Sequence, residues 1–246
     1  MRPDASKKLA AAAPKKGSNP VVIGAVVAAV LIVGVVVAIL IGNSGKSGGG
    51  SAGSAQPAGV TGGTGGGIVA NAATAKDNAP TLDLYEDFQC PACARLEERI
   101  GAQKASMAKA GEIKLVVHIL SFLDDNLKND SSKRSANAAA CAADAGKFME
   151  YRALVFAAQP AQEGVGYTDV QLTQFAQTSG ITGAALTKWQ QCTSSGQHAQ
   201  YVKDVQEASG RAGVKQTPTV KLNGQDVTKD VQTPEALMAA VKAATK

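Results

Sequence analysis

The chain carries little net charge beyond its first segment. Its 246 residues have a formal net charge of +5 at pH 7, of which residues 1–20 supply +4, so that about +1 remains for residues 43–246. The charged residues of the first segment are Arg2, Asp4, Lys7, Lys8, Lys15 and Lys16. A domain so nearly neutral lacks the basic stripe that binding to phosphate groups requires. The composition therefore argues against a nucleic-acid partner.

Histidine and cysteine are also scarce, with two and four residues in the whole chain. Cys90 and Cys93 form one Cys-x-x-Cys motif, whereas Cys141 and Cys192 stand singly and both histidines are isolated. A zinc site usually takes its second pair of ligands from a similarly short spacing. The sequence therefore disfavours a zinc site, and neither a metal nor a cofactor is predicted.

Residues 21–41 lack charged and strongly polar side chains altogether. At about 1.5 Å per residue, a helix of this length crosses the hydrocarbon core of a bilayer. Basic residues precede the run and only Lys46 follows it closely, which favours a cytoplasmic N-terminus and an extracytoplasmic remainder. We predict a cytoplasmic basic tail over 1–20 and one transmembrane helix over 21–41, in the cell membrane. The alternative is a cleaved signal peptide, whose apolar run is usually shorter.

Large side chains are rare in residues 42–67, where 12 of the 26 residues are glycine. Most of the others are Ser, Ala or Thr, and such a composition buries too little apolar surface to order itself. It predicts a flexible linker, followed by one globular domain over 68–246.

The rest of the chain alternates between strand and helix patterns. A β-branched run at 113–120 predicts a buried parallel strand, and apolar residues at helical spacing predict a helix over 91–110. The interval from about 125 to 210 predicts an insertion of four or five helices. The other predicted elements are strands at 68–75, 81–88, 219–222 and 226–227, with a hairpin turn at Asn223-Gly224, and a helix over 234–244. The order β-β-α-β, helices, β-β-α indicates the α/β class.

The Cys-x-x-Cys motif follows a predicted strand and opens a predicted helix. The first sulfur then lies at the helix N-terminus, where free N–H groups and the positive end of the dipole stabilise a thiolate. Cys90 is therefore the predicted nucleophile, and Cys93, one turn further on, is the predicted resolving cysteine. Pro91 suits the first helical position because its missing N–H has no partner there. A purely structural disulfide between these cysteines is the alternative.

Three segments resemble the DsbA-like proteins of the thioredoxin superfamily. They are EDFQCPAC at 86–93, KFMEYRALVFAAQP at 147–160 and GVKQTPTVKLNG at 213–224. Together with the anchor and the Gly-rich linker, they are most similar to the membrane-anchored actinobacterial members. The resemblance implies a thioredoxin fold with an inserted helical domain and a cis Thr217–Pro218 peptide bond beside the motif. The Thr217 backbone would then lie against Cys90 and offer an edge to a substrate peptide. A trans turn proline is the alternative.

The sequence departs from the family pattern at two places. Leu84 stands where many thioredoxin-like proteins have a buried acid, and Glu86 and Asp87 are candidates to replace it as redox modulators. Their other interpretation is that they are solvated residues at the end of a strand. Ala92 stands where the best-known oxidising members have histidine, so one stabiliser of the Cys90 thiolate is missing.

The two remaining cysteines lie in the predicted helical insertion. In an oxidising compartment an even cysteine count favours pairing, so we expect a structural disulfide between Cys141 and Cys192. Two buried free thiols are the alternative. His118 and His198 are expected to be structural residues.

These features predict an extracytoplasmic thiol-disulfide oxidoreductase, a DsbA-like disulfide oxidase. It would oxidise reduced exported proteins through Cys90 and Cys93 as a monomer. The resemblance implies reoxidation by a quinone-linked membrane partner related to vitamin K epoxide reductase. One alternative is a disulfide isomerase or reductant on the same scaffold. The other is a tethered peptide-binding module, which has no need of two reactive sulfurs.

Overall fold

The computed structural model describes residues 55–245. The predicted cytoplasmic tail, the predicted transmembrane helix and the linker up to residue 54 lie outside the described residues. Within residues 55–245, every helix is too short or too polar to span a bilayer.

A mixed five-stranded sheet forms the centre of the fold, in the order β1-β3-β2-β4-β5. The central pair, β2 and β3, is parallel, as predicted, and every other neighbouring pair is antiparallel. The strands are β1 (Ile68–Val69), β2 (Thr81–Glu86), β3 (Lys114–Ile119), β4 (Thr219–Leu222) and β5 (Gln225–Asp226). Asn223 and Gly224 turn between β4 and β5 with φ of 50° and 83°, as their sequence predicts for a tight hairpin.

Helix α1 (Pro91–Lys109) joins the two central strands, and α8 (Pro234–Ala244) follows the hairpin and packs against α1. Six helices lie between β3 and β4. They are α2 (Leu123–Leu127), α3 (Ser131–Asp144), α4 (Phe148–Ala157), α5 (Asp169–Thr178), α6 (Gly183–Ser194) and α7 (Ala199–Arg211). The element order is the predicted one, with one more helix in the insertion than expected. The chain leaves the helical conformation at Lys128 (φ 56°), between α2 and α3, and at Gly146 (φ 68°), between α3 and α4.

The first strand is shorter than predicted, because it ends at Val69 and not at residue 75. Asn71 replaces further strand pairing with side-chain bonds. Its Nδ2 donates to the carbonyls of Ala108 and Ile113, both at 2.8 Å, and its Oδ1 accepts from the N–H of Leu115 at 2.9 Å. The backbone around Asn71 therefore turns and does not extend the ladder.

The prediction of a flexible linker over 42–67 is wrong for residues 55–67, which pack on the domain. The Ala58 N–H donates to Asp144 at 2.9 Å, the Tyr201 hydroxyl donates to the Gly66 carbonyl at 3.0 Å, and Val60 bridges to Ile68. Glycine makes this approach possible, since a Cβ on Gly66 would lie 1.5 Å from the Thr61 carbonyl oxygen. The composition indicates flexibility, but the small residues serve close packing here.

Helix α1 buries the apolar face that its sequence predicts. Leu96, Ile100 and Met107 are at most 3% exposed, and they pack in one core with Leu84 and Val117 of the sheet. Full burial of such a side chain contributes roughly 1.5–3 kcal/mol. Cys93 lies on the same face, so the packing of the core also fixes the position of its sulfur.

A disulfide joins Cys141 of α3 to Cys192 of α6, with a sequence separation of 51. Cross-links of this kind typically contribute about 2–4 kcal/mol, chiefly by restricting the unfolded chain. Ser132 of α3 donates to Asp87, three residues before Cys90. Cys141 lies nine residues beyond Ser132, or about 14 Å further along the helix. The bond therefore holds the part of the helical insertion that is remote from the Cys-x-x-Cys motif.

Candidate active site

The nucleophile predicted from the sequence, Cys90, is the N-cap residue of α1. Its backbone is extended (φ −78°, ψ 113°), and Pro91 occupies the first helical position. The N-cap is usually a residue whose side-chain oxygen accepts from the N–H groups of the first turn. Cys90 makes no such bond. The N–H groups of Ala92 and Cys93 in the first turn nevertheless lower the pKa of Cys90, as expected at the positive end of the helix dipole.

The two sulfurs of the motif are free thiols in the structure, and both are buried. A hydrogen bond from the Cys93 thiol, with N–H groups of the first turn, lowers the pKa of Cys90 to about 6. Burial raises the pKa of Cys93 well above its usual value, and the bond to Cys90 and the carboxylate of Glu86 add to the increase. At neutral pH the site can thus hold one thiolate beside one thiol, which is the state required for exchange.

The Thr217–Pro218 peptide bond is cis and lies beside the motif. The thiol of Cys90, when protonated, donates to the Thr217 carbonyl at 3.3 Å. The structure thus brings Thr217 and Pro218 together with Cys90, Pro91, Ala92 and Cys93.

Glu86 is not a solvated residue at a strand end, because it is 1% exposed and belongs to a group of four charges, of which three are buried and Glu97 is partly buried. The Arg152 guanidinium, also 1% exposed, donates through Nε and Nη2 to both carboxylate oxygens of Glu86. Its Nη2 also donates to Glu97 at 2.8 Å, and Lys104 donates to Glu97 at 2.5 Å. The two carboxylates and the two cations balance each other, and the Glu86 carboxylate of this cluster is close enough to Cys93 to raise the pKa of its thiol.

Asp87 is not solvated either, since it is completely buried. Its carboxylate accepts from the Ser132 hydroxyl at 2.6 Å, from the N–H of Gln89 at 2.9 Å and from the N–H of Leu123 at 3.4 Å. Burial nevertheless raises the pKa of Asp87 to about 7. This acid ties the turn before Cys90 to α2 and α3, and its charge changes near neutral pH.

Gln159 contacts the motif and Tyr167 contacts the turn before it, although the sequence analysis did not single them out. The Gln159 side-chain amide donates to the carbonyls of Phe88 at 2.7 Å and Cys90 at 3.1 Å. The Tyr167 hydroxyl lies 3.1 Å from the Phe88 carbonyl. The only signal in the sequence is that Gln159 falls in the 147–160 segment of the family resemblance.

The described residues contain one group of side chains with metal-ligand spacing, made by Cys141, Cys192 and His198. The two sulfurs are bonded to each other, and a metal needs thiolates. The two ring nitrogens of His198 face the Asp144 carboxylate at 2.7 Å and the Ala55 carbonyl at 2.6 Å. His198 therefore connects α7 to α3 and to the segment before β1.

Comparisons with known proteins agree with this geometry. A family model described as thioredoxin matches residues 72–243. Reduced DsbA from Mycobacterium tuberculosis is 26% identical, with a TM-score of 0.58, over 70% of this chain and 90% of that chain. The thiol-disulfide oxidoreductase MdbA from Corynebacterium diphtheriae is 25% identical, with a TM-score of 0.61, over 72% of this chain and 89% of that chain. Among curated proteins, no sequence matches significantly.

Proposed function

Because the chain belongs to the thioredoxin family and is a DsbA-like thiol-disulfide oxidoreductase, we propose that it oxidises cysteine pairs of exported proteins through Cys90 and Cys93. The family, the enzyme class and the thioredoxin-like α/β fold predicted from the sequence are confirmed by these comparisons. The observation that carries the proposal is the position of the Cys90 sulfur at the N-terminus of α1, with the protonated Cys93 behind it.

The proposed reaction moves two electrons from the substrate to the motif. A substrate thiolate attacks the Cys90 sulfur of the Cys90–Cys93 disulfide, and Cys93 leaves and takes up a proton. The second substrate thiolate then attacks the substrate sulfur of the mixed disulfide. Cys90 leaves as a thiolate, which its low pKa favours. The products are an oxidised substrate and a reduced enzyme.

The difference between the two sulfurs supports the oxidising direction. A disulfide is a stronger oxidant when its reduced dithiol form is more stable. The Cys90 pKa of about 6 shows that the thiolate of the reduced form is stabilised. Ala92 provides neither a cation nor a side-chain hydrogen bond. We therefore propose an oxidase that is milder than family members with histidine at this position.

We predict a reduction potential above thioredoxin's value of about −270 mV, and an Ala92→His variant with a lower Cys90 pKa and a higher potential. Histidine at position 92 would bring a cation close to the thiolate. Equilibration with glutathione, read by alkylation and mass, measures each potential. Ala102→His, which changes an exposed residue of the same helix, is the control and should leave the potential unchanged.

Two results would contradict this assignment. A wild-type potential at or below that of thioredoxin would favour a reductant or an isomerase on the same scaffold. An unchanged potential in Ala92→His would show that residue 92 does not set the oxidising strength. A protein that binds unfolded peptides but exchanges no disulfides would instead be a tethered binding module.

We also propose that residues 21–41 anchor the chain and that the domain acts on the extracytoplasmic side. A quinone-linked membrane protein related to vitamin K epoxide reductase would then reoxidise Cys90 and Cys93. Protease added to intact spheroplasts should degrade or release the domain. Protection until the membrane is permeabilised would reverse the topology, and a soluble form that begins near Gln56 would indicate a cleaved signal.

A further inference from the structure

The carbonyl groups on either side of Gln89 are held by a side chain from the helical insertion. Gln159 follows α4 by two residues, and its Nε2 lies 2.7 Å from the Phe88 oxygen and 3.1 Å from the Cys90 oxygen. Carbonyl oxygens only accept hydrogen bonds, so the atom between them must be the amide nitrogen and not the amide oxygen. Gln159 thus uses both protons of its amide on the backbone around the nucleophile.

The carbonyl of Cys90 has a special place in α1. It is the first acceptor of the helix and receives the N–H groups of Cys93 at 3.1 Å and Ala94 at 3.3 Å. A capping side chain would normally secure the first turn, but the N-cap residue is the nucleophile itself and makes no capping bond. The orientation of this turn therefore depends on groups outside the helix.

The direction of the first turn matters for the chemistry of Cys90. N–H groups of Ala92 and Cys93 stabilise the Cys90 thiolate, and they do so only if they point at the sulfur. A hydrogen bond donated to the Cys90 carbonyl also withdraws electron density from that oxygen, which is the nearest carbonyl oxygen to the thiolate along the chain. Both effects favour the charged sulfur.

We propose that Gln159 is a positioning residue for the nucleophile: by donating to Phe88 and Cys90, it holds the first turn of α1 with its N–H groups directed at the Cys90 sulfur. The Tyr167 hydroxyl, 3.1 Å from the Phe88 carbonyl and 2.9 Å from the Val155 carbonyl, supports the same turn. The inference rests on the proposed role of Cys90 as the nucleophile. It gives the helical insertion a part in the chemistry, because Gln159, two residues after α4, favours the thiolate form of Cys90.

Three substitutions of Gln159 separate positioning from simple support of the fold. Gln159→Met keeps the length of the side chain and removes the donor, so the Cys90 pKa should rise above about 6. Near that pH, the ratio of thiolate to thiol should fall about threefold to fivefold, which is the size that one neutral hydrogen bond allows. Gln159→Glu should raise the pKa further, because it places a carboxylate against two carbonyls. Gln159→Lys restores a donor with a positive charge, so the pKa should stay at or below the wild-type value.

The Cys90 pKa is measured from the ultraviolet absorbance of the thiolate across pH, in the purified full-length chain with its Cys141–Cys192 bond intact. Gln162→Met is the matched control, because Gln162 is an exposed glutamine in the same connection, and it should change nothing. A purely structural role predicts that Met and Lys shift the pKa in the same direction, and that result would overturn the proposal. An unchanged pKa in a folded Gln159→Met would overturn it too. If Gln159→Met does not fold, Gln159→Asn takes its place, because it keeps a neutral amide but shortens its reach to the two carbonyls; the Cys90 pKa should again rise, and an unchanged pKa would overturn the proposal.

The failure of this inference differs from a failure of the proposed function. If wild-type Cys90 titrates near neutral or alkaline pH and transfers no disulfide, the proposed function itself fails. If wild type exchanges disulfides and its variants keep the wild-type pKa, only the role of Gln159 is lost.

Discussion

Replacing Arg152 with methionine is expected to lower the free energy of unfolding by about 3–5 kcal/mol, the usual cost of removing one partner from a buried ion pair. Arg152 is 1% exposed, binds both carboxylate oxygens of Glu86 and lies 2.8 Å from each carboxylate oxygen of Glu97. Without the guanidinium, Lys104 alone would face two carboxylates, and Glu86 would remain buried without its cation. Urea denaturation monitored by circular dichroism measures the loss.

Two further variants test whether unpaired charge is the cause. Arg95→Met removes an exposed arginine of α1 and should change stability by no more than about 0.5 kcal/mol. Combining Glu86→Gln with Arg152→Met removes the stranded carboxylate as well, so the double variant should lose less than the sum of the two single variants. An Arg152→Met protein as stable as Arg95→Met would show that the buried cluster does not contribute to stability.

The order of the strands and helices was predictable because the sequence patterns that indicate them lie in short stretches of the chain. Pro91 marks the first helical position, and Asn223-Gly224 marks a turn in which φ is positive at both residues. The β-branched run at 113–120 became β3, with ends within one residue of the prediction. Patterns of this kind depend on neighbours in the chain, so they can be recognised without knowledge of the tertiary structure.

The environment of the motif was not predictable, because it depends on residues far apart in the chain. Arg152 and Glu86 are 66 residues apart, and each charge alone suggests a solvated position. Asp87 and Gln159 present the same difficulty, since their partners come from α2, α3 and the turn before α1. The sequence shows at Leu84 that the usual buried acid is missing. Only the packing shows that Glu86 supplies a carboxylate near Cys93.

Residues 55–67 illustrate a different limit. Glycine-rich composition favours flexibility when nothing opposes it, but the same residues allow a backbone to approach others closely. Gly65 has a φ of 78°, and a Cβ there would lie 2.4 Å from the Asp204 carbonyl oxygen. Composition alone cannot tell these two uses of glycine apart.

Replacing Cys90 with serine is expected to abolish the oxidation of a reduced test protein, because the sulfur at the N-terminus of α1 accepts the attack. Given a test protein that contains a disulfide, the Cys93→Ser variant should instead accumulate mixed disulfides through Cys90. The Cys90 thiolate attacks the substrate disulfide, one substrate thiolate leaves, and no Cys93 thiol remains to displace the other. Non-reducing electrophoresis followed by mass spectrometry identifies the trapped cysteine. The double variant is the control and should neither oxidise nor trap the substrate. Trapping through Cys93 in the Cys90→Ser protein would reverse the assignment of the two sulfurs.

The Cys93→Ser variant, compared with a Cys93→Ala variant, tests the origin of the reactivity of Cys90. In the reduced wild type, the rate of Cys90 alkylation should reach half its maximum near a pH of about 6, while Cys93 remains unreactive. The Cys93 thiol makes the largest contribution to this low pKa. Cys93→Ala removes that donor, whereas Cys93→Ser keeps a hydroxyl that can donate. The alkylation profile of Cys93→Ala should therefore move to higher pH than that of Cys93→Ser. A Cys93→Ala profile that coincides with the wild-type profile would mean that the helix N-terminus alone, and not the second sulfur, activates Cys90.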